Sequence, residues 1–133
     1  MTTTQSSECP FCSLNPSRII AENEMAFVIR DLNPVSQGHS LVIPKRHVAS
    51  FFELSSEEVS TIYKLLHVAK KNIDELHKPD AYNIGVNVGV TAGQTVMHVH
   101  FHVIPRYVAD VPNPRGGVRT IIPGKGDYVS SSK

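Results

Sequence analysis

The sequence lacks an excess of charge of either sign, a long apolar run and a targeting segment. Lys and Arg together number 13 and Asp and Glu 12 in 133 residues, for a formal net charge of +1. No strong field therefore favours nucleic acid or a membrane surface as the main ligand. No apolar run approaches the roughly 20 residues of a membrane span, and residues 1–8 lack the basic start and apolar centre of a signal peptide. These absences predict a cytoplasmic protein with no membrane partner and no nucleic acid as its main ligand.

Cysteine is also scarce, because Cys9 and Cys12 are the only two in the chain. In a reducing compartment this C-x-x-C spacing indicates half of a metal site or a redox pair, and not a structural disulfide. A redox pair is expected at a strand-to-helix turn of a βαβ unit, which the surrounding pattern does not show. A tetrahedral zinc site needs two further ligands, which histidines elsewhere can supply. The sequence therefore favours zinc, with a reversible disulfide as the alternative.

The patterns that are present predict a single α+β domain over residues 1–133, with a flexible tail at 1–8. Ser55, followed by Glu58 and by apolar residues at helical spacing up to Ile73, predicts a long helix of about five turns that ends before Pro79. Residues 107–133 are rich in proline, glycine and arginine over most of their length and predict an extended C-terminal tail. Runs of apolar residues predict five strands, at 18–21, 25–31, 40–44, 81–88 and 97–105.

The last predicted strand contains three histidines, His98, His100 and His102, that alternate with apolar residues. Side chains two apart on a strand lie on the same face, about 6.5 Å from each other. Histidine is not a preferred strand residue, and near neutral pH its imidazole can act as a nucleophile, an acid, a base or a metal ligand. The spacing therefore predicts a row of functional imidazoles on one face, with the intervening apolar residues turned into the core.

The stretch from His98 to Ile104 has the form His-x-His-x-His followed by two apolar residues, and it resembles the signature of the histidine triad (HIT) family. Residues 93–96 and 38–47 also match the family, and the match reaches Cys9, so it covers most of the chain. The resemblance implies a HIT-like fold, with an antiparallel sheet of about five strands, one long helix and short helices. It also implies a homodimer.

The resemblance assigns the chemistry to the last two histidines. It implies that His100 is the nucleophile, which attacks phosphorus to give a nucleotidyl-histidine that water hydrolyses, while a backbone carbonyl holds its other ring nitrogen. His102 would hydrogen-bond phosphate oxygens and assist the departing group. In the family a histidine at this third position accompanies hydrolases and a glutamine accompanies transferases, so His102 favours water as the acceptor.

The implied substrates are dinucleoside polyphosphates, such as diadenosine tetraphosphate, or adenosine phosphoramidates. Pro105 and Arg106 after the triad resemble the dinucleoside polyphosphate hydrolase branch. The alternative is a zinc-stabilised protein that binds a purine nucleotide and turns over little.

The resemblance further implies the ligand contacts. Asp31, at the end of the second strand, would hydrogen-bond the ribose hydroxyls. The phosphate would be held by residues at the turn before the triad, which are Asn87, Gly93, Gln94 and Thr95.

The resemblance also completes the metal site. It implies a structural Zn²⁺ in a closed site with four protein ligands, which are Cys9, Cys12, His47 and His98. His39 is the rival of His47 for this role, and the spacing alone does not separate the two.

Overall fold

The computed structural model describes residues 8–131, with side chains to Val129. It contains one five-stranded antiparallel sheet in the order β1-β2-β3-β5-β4. The prediction of a flexible tail at 1–8 lies outside the described residues, apart from Glu8. The strands are β1 (Ala21–Glu22), β2 (Ala26–Arg30), β3 (Ser40–Pro44), β4 (Ala81–Val86) and β5 (Phe101–Arg106), and the α-helices are α1 (Ser56–His77) and α2 (Tyr128–Ser131).

The predicted α+β class, the sheet and the long helix are confirmed. The side chain of Ser55 accepts from the backbone N–H of Glu58, and the Glu58 carboxylate accepts from the N–H of Ser55, which completes a capping box at the start of α1. The helix has 22 residues, or about six turns and not five. It stops at Lys78, whose left-handed conformation (φ 51°) turns the chain before Pro79.

The ends of four strands differ from the prediction, and β2 is shorter by one residue at each end. β1 is shorter because Pro16–Arg18 form a 3₁₀ turn, with the Asn15 side chain accepting from Ser17 N. β4 ends at Val86, and β5 begins only at Phe101. The backbone before β5 bonds to a loop instead of a strand, because Val99 N–H donates to the carbonyl of Val48. The alternation of side chains nevertheless continues through this segment, since Val99, Phe101 and Val103 all join one buried cluster.

The two faces of the sheet are covered differently. The first face packs against α1, where Ile62, Leu65, Ala69 and Ile73 are buried. The second face, called the histidine face here, carries every other strand side chain, because successive residues of a strand point to opposite sides of the sheet. Its apolar half consists of Phe27, Ile29, Leu41 and Ile43, packed against Phe11, Leu14 and Ile19.

The segment after β5 is folded and not extended as predicted. Gly117–Ile121 form a 3₁₀ turn, and α2 follows. The chain folds back so closely that a Cβ on Gly116 would lie 1.8 Å from the carbonyl oxygen of Gly126. Arg115 also lies 3.4 Å from a carboxylate oxygen of Asp127. These contacts make a small C-terminal lobe that reaches β4 at Asn83. Among the described residues, no helix is long and apolar enough to cross a membrane.

Candidate functional site

Two cysteines and two histidines converge on one point beside the sheet. The ligand atoms of Cys9, Cys12, His47 and His98 all lie within 4.8 Å of one another. Nδ1 of His98 is 3.4 Å from Sγ of Cys9, 3.5 Å from Sγ of Cys12 and 3.2 Å from Nδ1 of His47. In a tetrahedral zinc site with Zn–S bonds of about 2.3 Å and Zn–N bonds of about 2.0 Å, the ligand atoms are about 3.3 to 3.8 Å apart. The four residues therefore fit a tetrahedral metal ion.

The local backbone aims these ligands. Residues 9–13 form a turn, called the cysteine turn here, in which Ser13 N–H donates to the carbonyl of Cys9 and Cys12 N–H donates to the Cys9 sulfur. Nε2 of His98 lies 2.8 Å from the carbonyl oxygen of Pro44. Because a carbonyl only accepts, Nε2 carries the proton and the lone pair of Nδ1 points at the cysteines. Cys9 and Cys12 do not form a disulfide with each other, and this donor set is that of a closed structural site.

His39 is not part of this cluster. It is buried, and its Nε2 lies 3.0 Å from Nδ1 of His102 and 3.5 Å from a carboxylate oxygen of Asp31. Its Nδ1 accepts a hydrogen bond from the backbone N–H of Val35 at 3.1 Å. Of the two rivals, His47 lies in the Cys/His cluster and His39 does not.

A second cluster consists of Asp31, His39 and His102. The hydrogen bond from Val35 fixes the tautomer of His39 in it. Because Nδ1 of His39 accepts, the proton of the neutral ring is on Nε2, where it can be donated to Nδ1 of His102. A metal ion on Nε2 would put that proton on Nδ1, against the N–H of Val35. This tautomer favours a hydrogen-bonded relay from His39 to His102 over a metal ion, with a carboxylate oxygen of Asp31 3.5 Å from the same Nε2.

His102 is held as a neutral imidazole. Burial lowers its pKa to about 4, and the nearby His100 and His39 act in the same direction, while Asp31 opposes them. With Nδ1 accepting from His39, the proton of the neutral ring is on Nε2. His102 therefore presents an N–H donor at neutral pH.

His100 has one nitrogen held and the other open. Its Nδ1 lies 2.9 Å from the backbone carbonyl of His98, which fixes the proton on Nδ1 and leaves the lone pair on Nε2. Among the described residues, no enclosed side-chain nitrogen or oxygen lacks a hydrogen-bond partner. Nε2 of His100 has no hydrogen-bond partner in this part of the chain, so it is not fully enclosed, although the residue as a whole is only 9% exposed. The ring is an unliganded base or nucleophile.

The residues expected to contact a ligand lie near the row of histidines, but some are exposed and others are buried. Asp31 lies beside the relay, and Asn87 directly follows β4, whose last residue Val86 pairs with Phe101. Thr95 is exposed in the loop before the triad. Gln94 is buried, and its amide N–H groups donate to the carbonyls of Ala49 and Val96 while its oxygen accepts from Gly89 N–H.

Gln94 therefore shapes the loop from inside, and its expected contact with phosphate stays a prediction. The N–H of Gly93 also bonds within the loop, to the carbonyl of Val90. Hydrogen-bond donors that this loop can present to a ligand therefore belong to other residues, such as the exposed Thr95.

Gly85 leaves space beside the row. It pairs with His102 in the β4–β5 register, so the two residues point to the same face. A Cβ built on Gly85 would have no heavy atom within 4 Å. A ligand that reaches His100 and His102 can therefore extend over this edge of the sheet.

A shallow apolar groove lies away from the histidine row, beside the start of α1. Its lining includes Phe52, Val59 and Tyr63.

The chain is similar to proteins of one family. The sequence profile described as the HIT domain matches residues 13–109. An adenosine 5'-monophosphoramidase of Schizosaccharomyces pombe is 40% identical over 102 residues, which cover 74% of each chain. The bis(5'-nucleosyl)-tetraphosphatase [asymmetrical] of the same yeast is 36% identical over 94 residues, covering 71% of this chain and 52% of that enzyme. The crystal structure of a Zn-bound histidine triad family protein from Mycobacterium smegmatis superposes with a TM-score of 0.70 at 36% identity, covering 77% of this chain and 78% of that one.

Proposed function

The chain belongs to the HIT domain family, and on that premise we propose that it is a nucleotide hydrolase that acts through a nucleotidyl-histidine intermediate on His100. The single observation that carries the proposal is the state of this ring. Its Nδ1 is held by the carbonyl of His98, and its Nε2 has no hydrogen-bond partner among the described residues and is not fully enclosed. Relatives named as a phosphoramidase and a tetraphosphatase support hydrolysis of a nucleotide phosphoanhydride or phosphoramidate bond.

The first step forms a bond between Nε2 of His100 and the phosphorus next to the nucleoside. The bond to the leaving group breaks, and its electron pair departs with that group. His102 donates its Nε2–H to the oxygens on which charge develops, and His39 keeps that proton on Nε2 by bonding the other nitrogen. In the second step water attacks the same phosphorus and gives up a proton to solvent, the P–N bond breaks, and its electron pair returns to His100.

The substrate is proposed to lie along the histidine row. Asp31 hydrogen-bonds the ribose, and Asn87 and Thr95 face the phosphate. Gly93 and Gln94 act by fixing the loop between them. Diadenosine tetraphosphate is proposed as the better substrate class, because the space beside Gly85 accommodates a large leaving group. Adenosine phosphoramidates are the alternative class, with a small leaving group.

The Cys/His cluster is proposed to hold a structural Zn²⁺. When bound, the metal ties the cysteine turn to His47 and His98 with no position left for water. The Zn-bound relative from Mycobacterium smegmatis supports this choice of metal. The reaction itself is assigned to the protein's own histidines.

We also propose that two copies associate. β4 is an edge strand, and Ile84 on it and Tyr63 on α1 are 45% and 62% exposed although both are largely apolar. Association through this edge and helix would cover both. Sedimentation velocity is expected to give a dimer, and a monomer over the micromolar range would overturn this proposal.

A zinc-stabilised nucleotide-binding protein with little turnover is the competing function. Trapping the intermediate separates the two. The protein is mixed with diadenosine tetraphosphate or adenosine phosphoramidate, quenched in alkali and analysed as an intact chain by mass spectrometry. We expect an added nucleotidyl group that is absent in His100→Ala and unchanged in the control His67→Ala, a surface histidine of α1. Tight binding of AMP without an adduct or turnover on either substrate would favour the competing function.

A further inference from the structure

Phe11 connects the Cys/His cluster to the proposed nucleophile. Its ring centroid lies 5.1 Å from that of His100 at an interplanar angle of 65°, and 5.7 Å from that of His98 at 86°. Both are edge-to-face contacts. We propose that Phe11 is a positioning residue for His100, held in place by the cysteine turn; the proposal builds on the assignment of His100 as nucleophile.

The cysteine turn is suited to fixing this ring. Phe11 lies between Cys9 and Cys12, so a metal ion bound by the two sulfurs anchors the chain on both sides of it. The turn is closed by two hydrogen bonds from Ser13, since its N–H and its hydroxyl donate to the Cys9 carbonyl at 3.0 and 2.8 Å. Phe11 also packs against the apolar half of the histidine face. The ring therefore has little freedom to move away.

His100 needs such support because the torsion that turns an imidazole about its Cβ–Cγ bond is broad. The bond from Nδ1 to the carbonyl of His98 directs one nitrogen but leaves the ring free to swing about that bond. Phe11 limits this swing, and His102, with its ring centroid 5.2 Å away, also contacts the ring of His100. Attack on phosphorus requires Nε2 to hold an aligned position about 3 to 3.5 Å from the reacting atom. Loss of the Phe11 contact should lower the population of that orientation.

The test compares Phe11→Leu with Phe52→Leu in the full-length, zinc-loaded protein. Phe52 is 79% exposed, so it undergoes the same chemical change away from the site. We expect Phe11→Leu to keep its zinc, measured by metal analysis, and to keep KM, while kcat falls about 3- to 10-fold. The ¹⁵N resonances of the His100 ring should move or broaden in Phe11→Leu and stay unchanged in Phe52→Leu.

The conservative variant Phe11→Tyr keeps the ring edge and should restore kcat and the His100 resonances. If Phe11→Leu does not fold, Phe11→Met, which also lacks the aromatic ring, takes its place in the same test with the same expected results. Unchanged kcat and unchanged His100 resonances in Phe11→Leu would overturn the inference, as would a loss confined to KM or a loss of zinc. If the wild-type protein turns over neither substrate, the proposed function fails, while the His100 resonances still decide whether Phe11 positions the ring.

Discussion

Nε2 of His39 lies 3.0 Å from Nδ1 of His102, although 63 residues separate them in the sequence. The contact arises because β3, which begins one residue after His39, pairs with β5, which contains His102. His39 is buried and receives the N–H of Val35 on its other nitrogen, so its proton can go only towards His102 and Asp31. The hydrogen bonds that fix the tautomer of His102 therefore begin outside the triad.

Replacing His39 by phenylalanine is expected to lower kcat about 10- to 100-fold, because His102 loses the donor that holds its proton on Nε2. The lost hydrogen bond to His102 should also cost about 0.5 to 1.5 kcal/mol of unfolding free energy. His39→Gln can accept from Val35 and donate to His102, and it should recover most of both losses. Steady-state kinetics and urea unfolding measure the two effects. Equal kcat in all three proteins would exclude the relay.

The low pKa of His102, about 4, predicts a loss of stability in acid. An unfolded histidine titrates near 6.5, so between these values the unfolded chain binds more protons, and unfolding becomes easier as the pH falls. The slope from one group is at most about 1.4 kcal/mol per pH unit, and it vanishes above about pH 6.5.

Comparison with His102→Gln isolates this group from the other histidines. The unfolding free energy of the wild type minus that of the variant should fall as the pH is lowered from about 6.5 to about 4. Urea titrations at several pH values measure the unfolding free energies of both proteins. A difference that stays constant across this window would show that His102 is not held neutral by the fold.

Metal content separates the two histidine clusters. The protein as purified should carry one zinc ion per chain. His47→Ala should lose the zinc and His39→Gln should keep it, because His47 lies with Cys9 and Cys12 and His39 does not. A metal present at about 1,000 times its dissociation constant stabilises the folded state by about 4 kcal/mol, so His47→Ala should also unfold at a lower urea concentration. Metal analysis is the direct measurement. Retention of zinc by His47→Ala and its loss from His39→Gln would reverse the assignment.

Filling the space beside His102 should change substrate preference. Gly85→Val places a β-branched side chain in an open position of a strand, so stability should hold or rise by up to about 1 kcal/mol. We expect kcat/KM for diadenosine tetraphosphate to fall about tenfold relative to that for adenosine phosphoramidate, because only the former has a large leaving group. Ile84→Val, on the other face of the same strand, is the control. An equal fall for both substrates would place the leaving group elsewhere.

The sequence predicted those elements whose signals are local. The strand Ser40–Pro44 has the predicted bounds, and the capping pair Ser55 and Glu58 starts the helix where expected. The alternation of histidines with buried residues also holds from Val99 to Val103, although the regular strand begins later. Periodicity and caps are properties of neighbouring residues, so one sequence suffices to read them.

Contacts between distant segments could not be predicted in this way. The roles of Phe11, His39 and Gln94 depend on which strands are adjacent and on where loops close, and no local pattern contains that information. The C-terminal lobe escaped prediction for a related reason. Proline and glycine there indicated an extended chain, but the glycines at 116 and 126 instead let two backbone segments touch.

The alternation from His98 to His102 makes the length of this segment as important as its composition. A one-residue deletion at Val99 or Phe101 would turn the side chains on one side of the deletion to the opposite face, placing valine among the site residues and imidazole under α1. Variants here can therefore exchange one apolar residue for another but cannot change the residue count. Natural or designed diversity in loop length has to fall outside these five positions.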